Sequence, residues 1–172
     1  MSGGPDAARV LELCRVRGWT LGVAESLTGG GLTSAFVEIP GASLVLRGGV
    51  VAYATDLKAR LLGVDGELLG RLGPVAGPTA LAMAAGVRRA TGSDVGLATT
   101  GVAGPDPQDG HEPGLVFVAF VAPGATVVRE LHLHGDRAAV RADATAAALA
   151  LALDVLRGPG HGAGQPEISP LA

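Results

Sequence analysis

At 172 residues the chain has the length of one domain with a real core. Hydrophobic residues make up 48% and charged residues 17%, which argues against disordered and coiled-coil classes. The net charge of −3 argues against direct nucleic-acid binding by phosphate neutralisation. The single cysteine, Cys14, rules out an internal disulfide and fits a reducing compartment.

Asp6 is expected to cap a first helix running to about Gly18, with Val10, Leu11, Leu13 and Cys14 on its buried side. The apolar run 19–24, WTLGVA, has strand length and leads into a glycine turn, ESLTGGG. LTSAFVEI then reads as a helix stopped by Pro40 and Gly41. GGVVAYA is strand-like, and DLKARLLG is a short helix with Asp56 near its start and Gly63 at its stop. The segment 77–92 is a longer helix, with Pro78 in the first turn where it is tolerated.

DVGLATTGVAGPD repeats the earlier layout, an apolar strand that ends in hydroxyls and then glycines. Two further strands, GLVFVAFVA and TVVRELHLH, flank the turn signal PGA and predict a hairpin. A long helix over 136–158 closes the ordered chain. This order predicts a three-layer α/β/α domain with a mixed sheet, a C-terminal antiparallel strand pair and a long C-terminal helix. The domain is expected over 1–157, followed by a disordered tail over 158–172. The N-terminus lacks a signal-peptide layout. The most apolar stretch, ATAAALALALDVL, is shorter than the roughly 20 residues a spanning helix needs. A cytoplasmic protein with no membrane association is expected.

In open α/β sheets ligands bind outside the carboxyl ends of strands. Two such ends here carry hydroxyls and glycines, one running from Glu25 and Ser26 through Thr28, Gly29 and Gly30, the other from Thr99 and Thr100 through Gly101, Ala103 and Gly104. Glycines let the backbone approach a ligand, and free N–H groups at the following helix favour an anion or an oxyanion. The competing reading is a plain strand-to-helix turn with small polar caps. Lys58 is the only lysine and Tyr53 the only tyrosine. A lysine whose pKa falls on burial can act as a base, which arginine cannot; a surface charge and a packing aromatic are equally open readings. His132 and His134 alternate with Glu130 along a strand, where a solvated face is favoured over a metal pair because Val127, Leu131 and Leu133 in the opposite phase are apolar. No metal and no cofactor are expected.

Four stretches in this order, AESLTGG, GGVVAYATDLKARLLGV, TTGVAGPD and GDRAAVR, resemble the C-terminal domain family of CinA, the competence/damage-inducible protein. Its characterised activity is nicotinamide-nucleotide amidase, or NMN deamidase. The resemblance covers about Ala7 to Leu156. It implies a mixed-sheet α/β fold and metal-free hydrolysis of the carboxamide of nicotinamide mononucleotide (NMN) to nicotinate mononucleotide and ammonia. It places the nucleophile at Ser26, with Lys58 as general base and Tyr53 relaying or orienting the proton. Thr28, Gly29, Gly30, Thr100, Gly101, Ala103, Gly104, Arg137 and Arg141 are the implied substrate contacts, with backbone N–H groups near Thr28 to Gly30 holding the oxyanion. Arg137 and Arg141 are four residues apart at the start of a helix and are expected on one face, toward the phosphate; pairing with Asp136 and Asp143 is the bland alternative. The sequence departs from the family pattern at Ala54, at Ala76-Gly77 and at Glu112-Pro113-Gly114. A homo-oligomer acting on a small nucleotide is expected; a non-catalytic nucleotide-binding or damage-response interaction module of the same fold is the alternative.

Overall fold

The computed structural model describes residues 4–158; the tail expected beyond them lies outside the described residues. The elements are α1 (Gly4–Val16), β1 (Leu21–Glu25), α2 (Gly31–Val37), a 3₁₀ turn (Ala42–Leu44), β2 (Leu46–Val51), α3 (Thr55–Leu62), α4 (Gly66–Leu72), α5 (Gly77–Thr91), β3 (Val95–Gly101), β4 (Leu115–Ala122), β5 (Ala125–His132) and α6 (Arg137–Arg157). The strands form one sheet in the order β2-β1-β3-β4-β5. β2, β1 and β3 run parallel, and β4 and β5 add antiparallel to β3. The pair β4–β5 closes over Pro123-Gly124, with Gly124 at φ 77°, as the turn signal requires.

Strand alternation builds two cores, one on each face. Leu21, Val23, Val95, Leu97, Val116, Val118 and Phe120 pack against α1, α2 and α6. Ala24, Ala98, Phe117, Ala119 and Val121 face the other way, with α5 and α3. The parallel strands are small on this second face, and α5 lies very close to it. A Cβ on Gly96 would come within 1.9 Å of Ala84 O, and one on Gly22 within 2.5 Å of Thr91 Oγ1. Gly86 of α5 is as tight against α3, at 2.0 Å from Leu62 O. Cys14 sits among the core residues of α1, and burial pushes its thiol up to about 11, so it is a packing residue.

Several boundaries differ from the sequence expectations. α1 begins at Gly4, so Asp6 lies in its first turn and is not the cap. β1 runs Leu21–Glu25, and Trp19 stays outside it, its ring 5.8 Å from the Arg17 guanidinium. β2 starts at Leu46 and ends before Tyr53. α4 was not expected; it is a seven-residue helix with no buried residue, capped by Asp65 accepting from Glu67 N–H. Its two half-buried leucines, Leu68 and Leu69, are too short a signal between glycines to show a helical period. Glu130, His132 and His134 are exposed, with His132 Nε2 3.0 Å from Glu130 Oε1, while Leu131 packs inward. That strand face is solvated. Among the described residues no helix is long and apolar enough to cross a membrane.

The topology places the site. From β1 the chain crosses over through α2 to β2 on one face. From β2 it returns through α3, α4 and α5 to β3 on the other face. At the carboxyl ends of the neighbouring strands β1 and β3 the chain leaves in opposite directions along the sheet, toward β2 and toward β4, which is where an open α/β sheet leaves a crevice.

Candidate active site

Ser26 follows β1 directly. Its N–H donates to Thr99 O at 3.1 Å, continuing the ladder one residue past the strand, and the residue is 8% exposed. By the period of two, Glu25 points to the α2 side and Ser26 to the α3 side. Glu25 is fully buried. Its carboxylate accepts from the N–H groups of Gly30, Leu32 and Thr33 at 2.8–3.0 Å and from Thr33 Oγ1 at 2.6 Å. A buried carboxylate is tolerable there because the first-turn donors of α2 and its dipole offset the lost hydration. The turn itself needs Gly29 and Gly30, at φ 61° and 98°, a region costly for other residues.

This arrangement changes where an oxyanion can be held. Gly29 N–H donates to Ser26 O and Gly30 N–H to Glu25, so neither is free for a ligand. Among the described residues the N–H groups of Leu27 and Thr28 have no hydrogen-bond partner. Arg141 of α6 holds the same two residues from behind, with Nε donating to Leu27 O at 3.0 Å and Nη2 to Thr28 O at 2.8 Å. Its guanidinium therefore braces the turn. Asp136 caps α6 by accepting from Ala139 N–H and does not pair with either arginine.

Lys58 lies on the buried face of α3, 1% exposed. Its ammonium makes one hydrogen bond, to Ala52 O at 3.0 Å. Burial lowers its pKa from 10.5 to about 8, because the protein interior disfavours the charged form. Tyr53 is exposed, and its hydroxyl accepts from Arg137 Nη2 at 2.8 Å, while Arg137 Nη1 donates to Gly104 O at 2.8 Å. Arg137 thus ties the β2–α3 connection to the loop after β3. On the β3 side, Thr99 Oγ1 and Thr28 Oγ1 share a hydrogen bond at 2.8 Å, linking the two strand ends. Thr100 Oγ1 donates to Pro74 O at 2.7 Å and fixes the segment entering α5.

One cleft collects most of these groups. Ser26, Tyr53, Lys58, Thr100, Gly101, Ala103, Gly104 and Arg137 line a cavity of about 60 Å³. Thr28, Gly29, Gly30 and Arg141 do not line it; they build the turn that presents Ser26. The cavity is small beside the roughly 300–1,000 Å³ of typical ligand pockets, with room for only a few heavy atoms. Sequence reasoning missed Thr55, Asp106 and Gln108, which also line it, and the capping role of Glu25. For Glu25 a signal existed, a carboxylate six residues ahead of the helix start at Gly31; Asp106 and Gln108 follow the second glycine loop without any motif of their own.

Two of the departures from the family pattern now have a location. Ala54 is the N-cap of α3 and Ala76 the N-cap of α5, both in extended backbone and neither with a side-chain hydrogen bond. Both helices therefore start without a side-chain cap, which weakens a helix start.

An α/β protein with a polar cleft at the carboxyl ends of its parallel strands, lined by a turn-borne serine and a buried lysine, is the class defined by fold and site. The family model described as CinA C-terminal domain matches residues 5–156, and the chain belongs to that family. A CinA-like protein from Frankia casuarinae is 49% identical over 159 residues, covering 91% of this chain and 37% of that protein. A CinA-like protein from Gloeobacter violaceus is 52% identical over 121 residues, covering 70% and 28%. The chain therefore spans about a third of the length of these curated relatives. Among solved structures, a competence-damaged protein (CinA) superfamily protein from Klebsiella pneumoniae superposes with a TM-score of 0.87 at 30% identity, covering 91% of this chain and 99% of that one. The competence/damage inducible protein from Agrobacterium tumefaciens gives 0.85 at 31%, covering 91% and 96%.

Proposed function

We propose that the chain is an amide hydrolase acting on the carboxamide of NMN, with Ser26 as nucleophile and Lys58 as its base. The observation that carries this reading is Lys58: a buried amine with one hydrogen bond and a pKa lowered to about 8, lining the same cleft as Ser26. Such an amine is partly neutral at physiological pH and can accept a proton. Ser26 Oγ attacks the carboxamide carbon as its proton passes to Lys58. The tetrahedral oxyanion is held by backbone N–H groups, for which Leu27 and Thr28 are the unengaged donors of the turn. The C–N bond breaks as the Lys58 ammonium returns a proton to the leaving nitrogen, which departs as ammonia. Water, deprotonated by the neutral amine, then attacks the ester carbon, and the bond to Ser26 Oγ breaks as the Lys58 ammonium returns that proton to Oγ, which releases nicotinate mononucleotide and restores the hydroxyl. Tyr53, donated to by Arg137, orients protons at the rim.

Incubating purified protein with NMN and measuring ammonia tests the reading. Release in the wild type that disappears in Ser26→Ala supports it. No release, with NMN still protecting the fold against heat, would replace it with a nucleotide-binding module.

A further inference from the structure

The charges around the cleft do not fit a neutral amide. Lys58 and Arg137 are both cationic groups on its wall, and Asp106 is the one carboxylate among the residues that line it. Among the described residues the Asp106 carboxylate makes no hydrogen bond and no ion pair, and neither does the Gln108 side-chain amide beside it. Ser26 and Thr55 apart, the other polar side chains of the wall are engaged within the protein. Thr100 donates to Pro74 O, Arg137 to Gly104 O and Tyr53, and Lys58 to Ala52 O. Just beyond Asp106 the loop turns back on itself, where Gln108 and His111 exchange both backbone hydrogen bonds, at 3.0 and 2.9 Å. Asp106 is therefore an exposed, unengaged acceptor at the mouth of a cleft whose other charged groups are cationic.

Resting on the amidase reading, we propose that Asp106 is a specificity-determining residue that selects carboxamides borne on a positively charged ring. A ring cation entering toward Lys58 and Arg137 meets repulsion from both. A carboxylate at the rim reverses the sign where the ring sits, outside the small cavity that takes the carboxamide. A neutral ring of the same shape gains nothing from Asp106. The site then discriminates by charge between an oxidised pyridinium and its reduced, uncharged dihydropyridine, two molecules with the same carboxamide, sugar and phosphate.

Binding in the Ser26→Ala protein tests this without turnover. Calorimetry at low ionic strength compares NMN with its 1,4-dihydro form. NMN is expected to bind about tenfold more tightly, and the ratio should fall to about one in Ser26→Ala/Asp106→Asn. Raising the salt should shrink the preference in the first protein and not in the second. Equal affinities for the two forms, absence of binding by either, or an equal loss on both from Asp106→Asn would overturn the assignment. In the chain with Ser26 intact, Asp106→Asn should lower kcat/KM for NMN by a similar factor. A chain that binds NMN selectively through Asp106 but releases no ammonia would refute the amidase reading and leave the charge selection standing.

Discussion

Replacing Lys58 with methionine should make the protein more stable and catalytically inert. The ammonium is buried on the inner face of α3 with one carbonyl partner, and burial brings its pKa from 10.5 down to about 8. At about 1.36 kcal/mol per pH unit, that drop costs the fold about 3 kcal/mol whenever both states are protonated, below about pH 8. The sign follows from proton binding. Between about pH 8 and 10.5 the unfolded chain holds the proton more tightly, so stability rises with pH across that window and the penalty is gone above it. Methionine fills similar space without the charge but leaves Ala52 O unpaired, a loss of about 1–3 kcal/mol. The expected net gain at pH 7 is about 1 kcal/mol, or roughly 2–4 °C in Tm for a domain of this size. The gain should shrink and change sign toward pH 10. Urea unfolding at pH 7 and pH 10 measures it, and ammonia release should fall at least about a thousandfold. A Lys58→Met protein destabilised by more than about 1 kcal/mol at pH 7 would refute the burial argument, and one that keeps its activity would refute Lys58 as the base. In the wild type kcat/KM should rise with pH through about 8, as the amine loses its proton.

Ser26→Ala should abolish ammonia release with Tm within about 2 °C of wild type, since only a hydroxyl is removed from a hydrogen-bonded turn; activity within about threefold would end serine catalysis. Arg141→Ala leaves Leu27 O and Thr28 O without their donors, so kcat/KM should fall by the same factor, about ten- to a hundredfold, on NMN and on nicotinamide riboside. A KM increase confined to NMN would show that the guanidinium reads the phosphate. Ala76→Ser should supply the missing cap of α5 and stabilise by about 0.5–1 kcal/mol in thermal melts; no gain would mean that first turn is already satisfied. Gly96→Ala drives a Cβ to 1.9 Å from Ala84 O and should cost about 1–3 kcal/mol in urea unfolding, with a neutral result disproving the close approach of α5.

The sequence by itself determined the elements whose signal is local. The helix of Val10, Leu11 and Cys14, the hairpin over Pro123-Gly124 and the long closing helix all follow from a period or a turn preference read within a few residues. It also determined that Ser26, Lys58 and Tyr53 deserved notice, because reactive types and glycines recur at strand ends and in ordered motifs. Only the tertiary structure decided what those neighbours do. Placing β1 between β2 and β3 is a pairing choice between distant segments, and it brings Ser26 and Lys58 to one cleft. The pleat then separates Glu25 from Ser26, turning one toward the N–H groups of α2 and the other toward α3. Arg137 and Arg141 share a face of α6 by their spacing and part only in the partners that packing brings to each. Arg141 meets the carbonyls of Leu27 and Thr28, and Arg137 meets Tyr53 and Gly104. A period fixes which way a side chain leaves its own element, but its partner comes from another part of the chain, and packing sets that distance.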